Sequence, residues 1–291
     1  MVGRIGRGWN IAKQSWQIVC QDKALLPFPI MSAISTLLVV VSFIAPVVFV
    51  PGMSHTFVAE LEAARSGHGN SNIEIAFVAA SFLFYAANYF VIVFFNTALA
   101  ACAAQRFKGE TPTVAGGLRV AVARLPQIIG WVLLAATVGT VLKVIAERSR
   151  LLGKIITALF GFTWTIATYL VIPTLAVEGL GPIKALKRSS SLVAKSWGEG
   201  LVGTVSMGWF GFLLLLPAFL VAVPALFAFS VAPVPMGMMI GFGVLLFLVG
   251  LVMLSAMKQV FIVGLYLYAS DKQVPHGFSA ENFEGAFRAR A

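Results

Sequence analysis

Long apolar runs, separated by short polar segments rich in lysine and arginine, set the pattern of this chain. A helix rises about 1.5 Å per residue, so crossing a hydrocarbon core of about 30 Å takes about 20 apolar residues. Six stretches reach or approach that length, at roughly 24–50, 75–104, 128–145, 155–177, 201–229 and 238–268. The third is the shortest. Runs this long are not strands, and the expected fold class is an all-α integral membrane protein with six transmembrane helices.

The polar segments repeat a form of their own. Residues 5–20 place Ile5, Trp9, Ala12, Trp16 and Val19 at helical spacing, with Arg4, Arg7, Lys13, Gln14 and Gln17 mostly opposite, as in an amphipathic helix lying in the membrane interface. Residues 116–127 and 182–199 are likewise short, basic and amphipathic, and each leads into two apolar runs. A single transmembrane domain, 1–270, is therefore expected to divide into three parallel units of about 1–104, 105–177 and 178–270. Two crossings return the chain to the same side, so such units would be related about an axis along the membrane normal. The polar tail 271–291 is expected to be mobile or to lie on the membrane surface.

Composition agrees with lipid as the main solvent. Of 291 residues, 59% are hydrophobic and 11% charged, against about a quarter charged in a soluble domain. Lys plus Arg number 21 against 11 Asp plus Glu, a net charge of +10. That excess suits either nucleic acid or an anionic membrane. No nucleic-acid motif accompanies it and the cations flank the apolar runs, so anionic lipid headgroups are the expected partner and nucleic acid is not. The candidate headgroup-binding residues are Arg4, Arg7, Lys13, Arg119, Arg124, Lys184, Lys187, Arg188 and Lys195. A homo-oligomer or a membrane protein partner would also suit these helices.

Cytoplasmic loops carry the excess of Lys and Arg. Four such residues lie in each of 1–24, 105–127, 178–200 and 257–291, against Arg65 alone in the first outer loop. Both termini are thus expected in the cytoplasm. Lys143, Arg148, Arg150 and Lys154, between the third and fourth runs, oppose this assignment. The first apolar run is too long for a secretory h-region and is expected to be retained.

Candidate chemistry is sparse. Lys258 lies inside the last run, about 15 Å deeper than Tyr266 and Tyr268 if those two mark an aromatic belt. An intramembrane lysine costs at least about 2.5 kcal/mol and points to a functional site; the alternative is that Lys258 snorkels to the inner interface. Gln259, Asn88, Asn96 and Tyr85 complete the candidate intramembrane polar set. Asn88 and Asn96 lie about 80° apart around one helix and are expected to bond across helices. Pro173, Pro217 and Pro224 are expected to interrupt the fourth and fifth crossings as simple kinks that free the carbonyls of Tyr169, Leu213 and Leu220, the alternative being broken helices at a transport site. Cys20 and Cys102, the three histidines and Met236, Met238 and Met239 form no ligand spacing, so no metal or cofactor is expected. Ser189, Ser190 and Ser191 follow Lys187 and Arg188, where phosphorylation would weaken anionic-membrane binding. No catalytic motif occurs, and an enzyme is not expected.

The run from Val177 through Glu178, Gly179, Pro182, Ala185 and Leu186 to Ser189 and Leu192 resembles the Glu-Gly…Ala-Leu-x-x-Ser-x-x-Leu signature of a group of prokaryotic six-helix membrane proteins. That group includes families of unknown function and the membrane domain fused to some glycerophosphodiester phosphodiesterases. Gly8-Trp9…Ser15-Trp16 before the first crossing and Leu265-Tyr266-x-Tyr268-Ala269 at the end of the last are similar too. The resemblance implies a protein of the prokaryotic cytoplasmic membrane and supplies no activity, since the soluble phosphodiesterase domain is missing. The expectation is a non-enzymatic protein engaging anionic lipids or a membrane partner through its basic helices. The alternative is a transporter or channel with a polar path near Asn88, Asn96 and Lys258.

Overall fold

The computed structural model describes residues 4–50, 71–148, 152–230, 232–271 and 274–278, with isolated positions between 52 and 62. Among them there is no strand. Helix α1 covers Arg4–Gln21, and a 3-10 turn at Lys23–Leu25 leads into α2, Pro27–Phe49. The chain continues through α3 (Ser71–Phe107), α4 (Val114–Ala123), α5 (Leu125–Arg148), α6 (Leu152–Ala167) and α7 (Val171–Val177) to α8 (Pro182–Phe227) and α9 (Pro233–Asp271). Six segments are long and apolar enough to cross a membrane: Lys23–Phe49, Ala79–Phe107, Leu125–Lys143, Ala158–Val177, Met207–Phe227 and Pro233–Asp271. They fall on the six expected runs, and the chain is an all-α protein of the multi-pass membrane class.

Local chemistry sets the starts and breaks. Pro27 and Pro182 open α2 and α8 in the first turn, where an N–H is not needed. Thr113 caps α4 by accepting the Gly116 N–H at 3.1 Å. Pro173 breaks the fourth crossing, because its ring meets the Tyr169 carbonyl four residues back; residues 168–170 form a turn between α6 and α7. Pro217 and Pro224 lie inside α8, which continues through both over its 46 residues. α8 is seated closely on α9 on either side of Pro217. A Cβ on Gly211 would lie 2.8 Å from Leu254, one on Gly250 would lie 2.7 Å from Leu215, and one on Gly243 would lie 2.8 Å from Ala222. The expected interfacial helix 182–199 and the crossing after it are thus one continuous helix.

Burial is concentrated at one end of the bundle. There the last part of α9, with Met257, Phe261, Leu265 and Tyr266, is enclosed with Ile11 and Val19 of α1, Leu99 and Cys102 of α3 and Leu192 of α8. Towards the opposite end large side chains face outward, among them Leu37, Phe49, Phe227, Met238 and Leu248. We call these the packed and the open ends. The tail departs from expectation: Pro275 and Phe278 are buried, and the Phe278 ring lies 5.6 Å from that of Phe107. An aromatic ring gains more by closing the groove over Gly264 than by staying in water, so 274–278 folds back on the protein. Residues 279–291 lie outside the described residues, as does most of the loop 51–70.

Candidate functional site

The polar side chains of the packed end converge on the turn between α7 and α8. Glu178 follows the last residue of α7, and Gly179 turns the chain at φ 65°, in the left-handed region. Arg124, between α4 and α5, lays its guanidinium on this turn: a Cβ on Gly179 would lie 2.2 Å from Arg124 Nη1. Gln127 Nε2 donates to the Gly179 carbonyl at 3.5 Å. Arg188 Nε donates to Glu178 Oε1 at 2.9 Å, and the Tyr266 hydroxyl donates to the same oxygen at 2.5 Å. Beside this carboxylate the Arg188 guanidinium is held above its ordinary pKa. One carboxylate thus joins α7, α8 and α9. A second ion pair, Arg106 with Asp22, ties the end of α3 to the turn after α1.

The resembling signature has a structural meaning at each described position. Breaking the fourth crossing leaves the Leu170 N–H without a helical acceptor, and the buried Ser189 hydroxyl accepts it at 3.0 Å. Ala185 and Leu192 are buried on the same side of α8. Glu178 and Gly179 supply the carboxylate and the left-handed turn. Ser189 is enclosed, while Ser190 and Ser191 donate to backbone carbonyls of α8 itself, those of Lys187 and Arg188.

The candidate cations divide into two groups. Lys13, Arg119, Lys184 and Lys187 are exposed. Arg124 and Arg188 are partly buried: Arg124 lays its guanidinium against Gly179 with its Nε buried and without a hydrogen-bond partner, and Arg188 pairs with Glu178. The side chains of Arg4, Arg7 and Lys195 lie outside the described residues. The apolar side of α1 is covered by protein, with Ile11, Ala12, Ile18 and Val19 buried and the Trp9 and Trp16 rings 5.1 and 6.1 Å from Phe210 of α8.

The intramembrane candidates are not gathered around Lys258. Lys258 is exposed at the end of an outward stripe through Leu248, Leu251 and Ser255, whereas Gln259, next in the helix, is buried with its Nε2 unpartnered. Leu254 packs at Gly211, so Lys258, one turn on, is level with Met207 of α8. Asn88 donates to Phe84 O of its own helix at 2.8 Å. Tyr85 is exposed and stacks on Tyr89 at 5.9 Å; Tyr89 accepts from Trp131 Nε1 at 3.3 Å, and Trp131 stacks on Trp164. Asn96 is half-buried.

Among the described residues no group of three or more His, Cys, Asp or Glu could hold a metal. Cys102 is buried and donates to Thr113 O, and Cys20 is exposed. Sequence reasoning missed the partners of Glu178. Arg188 lies ten residues away, and Tyr266 reads only as an aromatic belt residue; the available signal was that Glu178 is the only acidic residue between Glu147 and Glu199.

A family of unknown function, DUF6159, matches residues 75–277, from the second crossing to beyond the last. No curated protein and no solved structure matches the chain. These comparisons add no link to the membrane domain of glycerophosphodiester phosphodiesterases.

Proposed function

This chain belongs to the DUF6159 family of unknown function, and we propose that it is a non-enzymatic multi-pass protein of the prokaryotic cytoplasmic membrane that engages anionic phospholipid headgroups at its packed end. The packed end faces the cytoplasm in this reading, in keeping with the four Lys or Arg residues in each of the segments that build it. The observation that carries the proposal is the division of the cations. Arg188 is paired with Glu178 and Arg124 is turned onto the Gly179 turn, while Lys13, Arg119, Lys184 and Lys187 face outward from the helices that roof the bundle. Exposed cations at the edge of an apolar belt attract anionic lipid by about 1 kcal/mol each. In this reading Lys258, at the end of the outward stripe of α9, reaches the same headgroup layer by extending its stem. A polar transport path is less well supported, because Asn88 is satisfied within α3 and Lys258 and Gln259 point to different sides of α9.

The test is thermal unfolding of the full chain in neutral detergent with added phosphatidylglycerol or phosphatidylcholine. The midpoint rises with phosphatidylglycerol alone, and the rise shrinks in high salt. Equal rises with both lipids would overturn the proposal.

A further inference from the structure

The three basic helical segments at the packed end share one register, pinned by a buried small residue in each: Ser15 in α1, Gly117 in α4 and Ser189 in α8. At Gly117 the approach is tight enough that a Cβ would lie 2.8 Å from the Ala98 carbonyl of α3. Ser189 touches the neighbouring crossing directly, through the Leu170 N–H. With these three aligned, exposure repeats at several positions around and after them. Lys13, Ala115 and Lys187 are exposed, as are Gln17, Arg119 and Ser191, and Cys20, Val122 and Ala194. Val19, Ala121 and Val193 are buried.

The packing repeats in the same cyclic sense. The segment α4, which opens the second proposed unit, packs on α3, the second crossing of the first unit. The start of α8, opening the third unit, packs on α7, which ends the second. The helix α1, opening the first unit, packs on both crossings of the third, on α8 through Trp9 and Trp16 against Phe210 and on α9, which ends that unit. Each basic segment is therefore seated on the last crossing of the preceding unit, and the chain closes on itself.

We infer that the packed end is a ring of three quasi-equivalent units whose exposed flanks form three separate sites for anionic phospholipid headgroups, centred on Lys13, Arg119 and Lys187. Lys13 and Lys187 occupy the same register position, and Arg119 lies one turn further along the same stripe. Lys184 adds a second cation to the third flank. This rests on the lipid-engaging reading above and adds the number and independence of the sites. The flanks carry cations without a carboxylate in register, which suits the phosphodiester of a phosphatidylglycerol bilayer leaflet.

Native mass spectrometry of the full chain, released from detergent containing phosphatidylglycerol, counts retained lipids. The wild type retains up to three. Lys13→Gln and Arg119→Gln each remove one, the Lys184→Gln/Lys187→Gln pair removes one, all four together remove all three, and Lys143→Gln removes none. If the fourfold variant loses lipid but the separate variants do not step down one at a time, the three-site ring is wrong and lipid engagement stands. If the fourfold variant retains as much lipid as the wild type, both fail.

Discussion

Replacing Ser189 by alanine isolates one bond on which the packed end depends. The Pro173 ring breaks the fourth crossing and leaves the Leu170 N–H with the Ser189 hydroxyl as its acceptor, in a site where Ser189 and Leu170 are fully enclosed. Alanine keeps the helix and nearly the same volume, so the loss is that of an unsatisfied buried donor, about 1–3 kcal/mol. On the scale of soluble domains of comparable size, where about 1 kcal/mol moves the midpoint by about 2–4 °C, Ser189→Ala lowers Tm by about 2 to 12 °C. The assay is thermal unfolding in detergent, followed by helical circular dichroism. Pro173→Ala supplies the decisive second variant, because it returns an N–H to the Tyr169 carbonyl and lets the Leu170 N–H regain its own acceptor. In that background Ser189→Ala costs less, and the two changes couple by at least about 0.5 kcal/mol. A neutral Ser189→Ala, or strict additivity with Pro173→Ala, would refute this account of the break.

Two further substitutions probe the same end. Tyr266→Phe removes a hydroxyl that donates to the Glu178 carboxylate and costs about 1–2 kcal/mol in the same assay; Arg188→Gln costs less than about 1 kcal/mol, because water screens a pair whose side chains are 39% and 26% exposed. The reverse order would show that the ion pair, not the hydroxyl, holds α7 to its neighbours. Gly117→Ala places a Cβ 2.6 Å from Cys102 Sγ and 2.8 Å from both the Ala98 carbonyl and the Phe28 ring, so overpacking destabilises by about 1–3 kcal/mol. An unchanged midpoint for Gly117→Ala would mean that α4 is not seated on α3 as described.

The six crossings were legible because a run of about 20 apolar residues has one low-energy answer in lipid. The fate of the prolines was not, since Pro173 and Pro217 look alike until their neighbours are known. Ser189 and the α7–α8 turn belong to the first, whereas the second lies within a continuous helix seated on α9 through the small residues of their seam. The cations were hidden in the same way. Arg119 and Arg124 lie five residues apart in one basic segment, but Arg119 is exposed and Arg124 covers Gly179, a left-handed turn 55 residues further along the chain. Charge in a sequence shows how many cations there are; only the fold shows which have been used.

The uneven burial along the bundle follows from a change of solvent. Apolar side chains surrounded by lipid tails gain little by packing on one another, so crossings there are held by small-residue contacts such as those of Gly243 and Gly250. Along α2 the one buried residue is accordingly Phe28, in its first turn. Where the basic helices meet water the hydrophobic effect operates again, and there Trp131, Phe261 and Tyr266 are fully enclosed, with Phe278 sealing the groove beside them. The protein is thus folded most tightly at the membrane margin. The carboxylate of Glu178, the Ser189 hydroxyl and the Arg106–Asp22 pair all add rigidity at that level, as the proposed engagement of headgroups there would require.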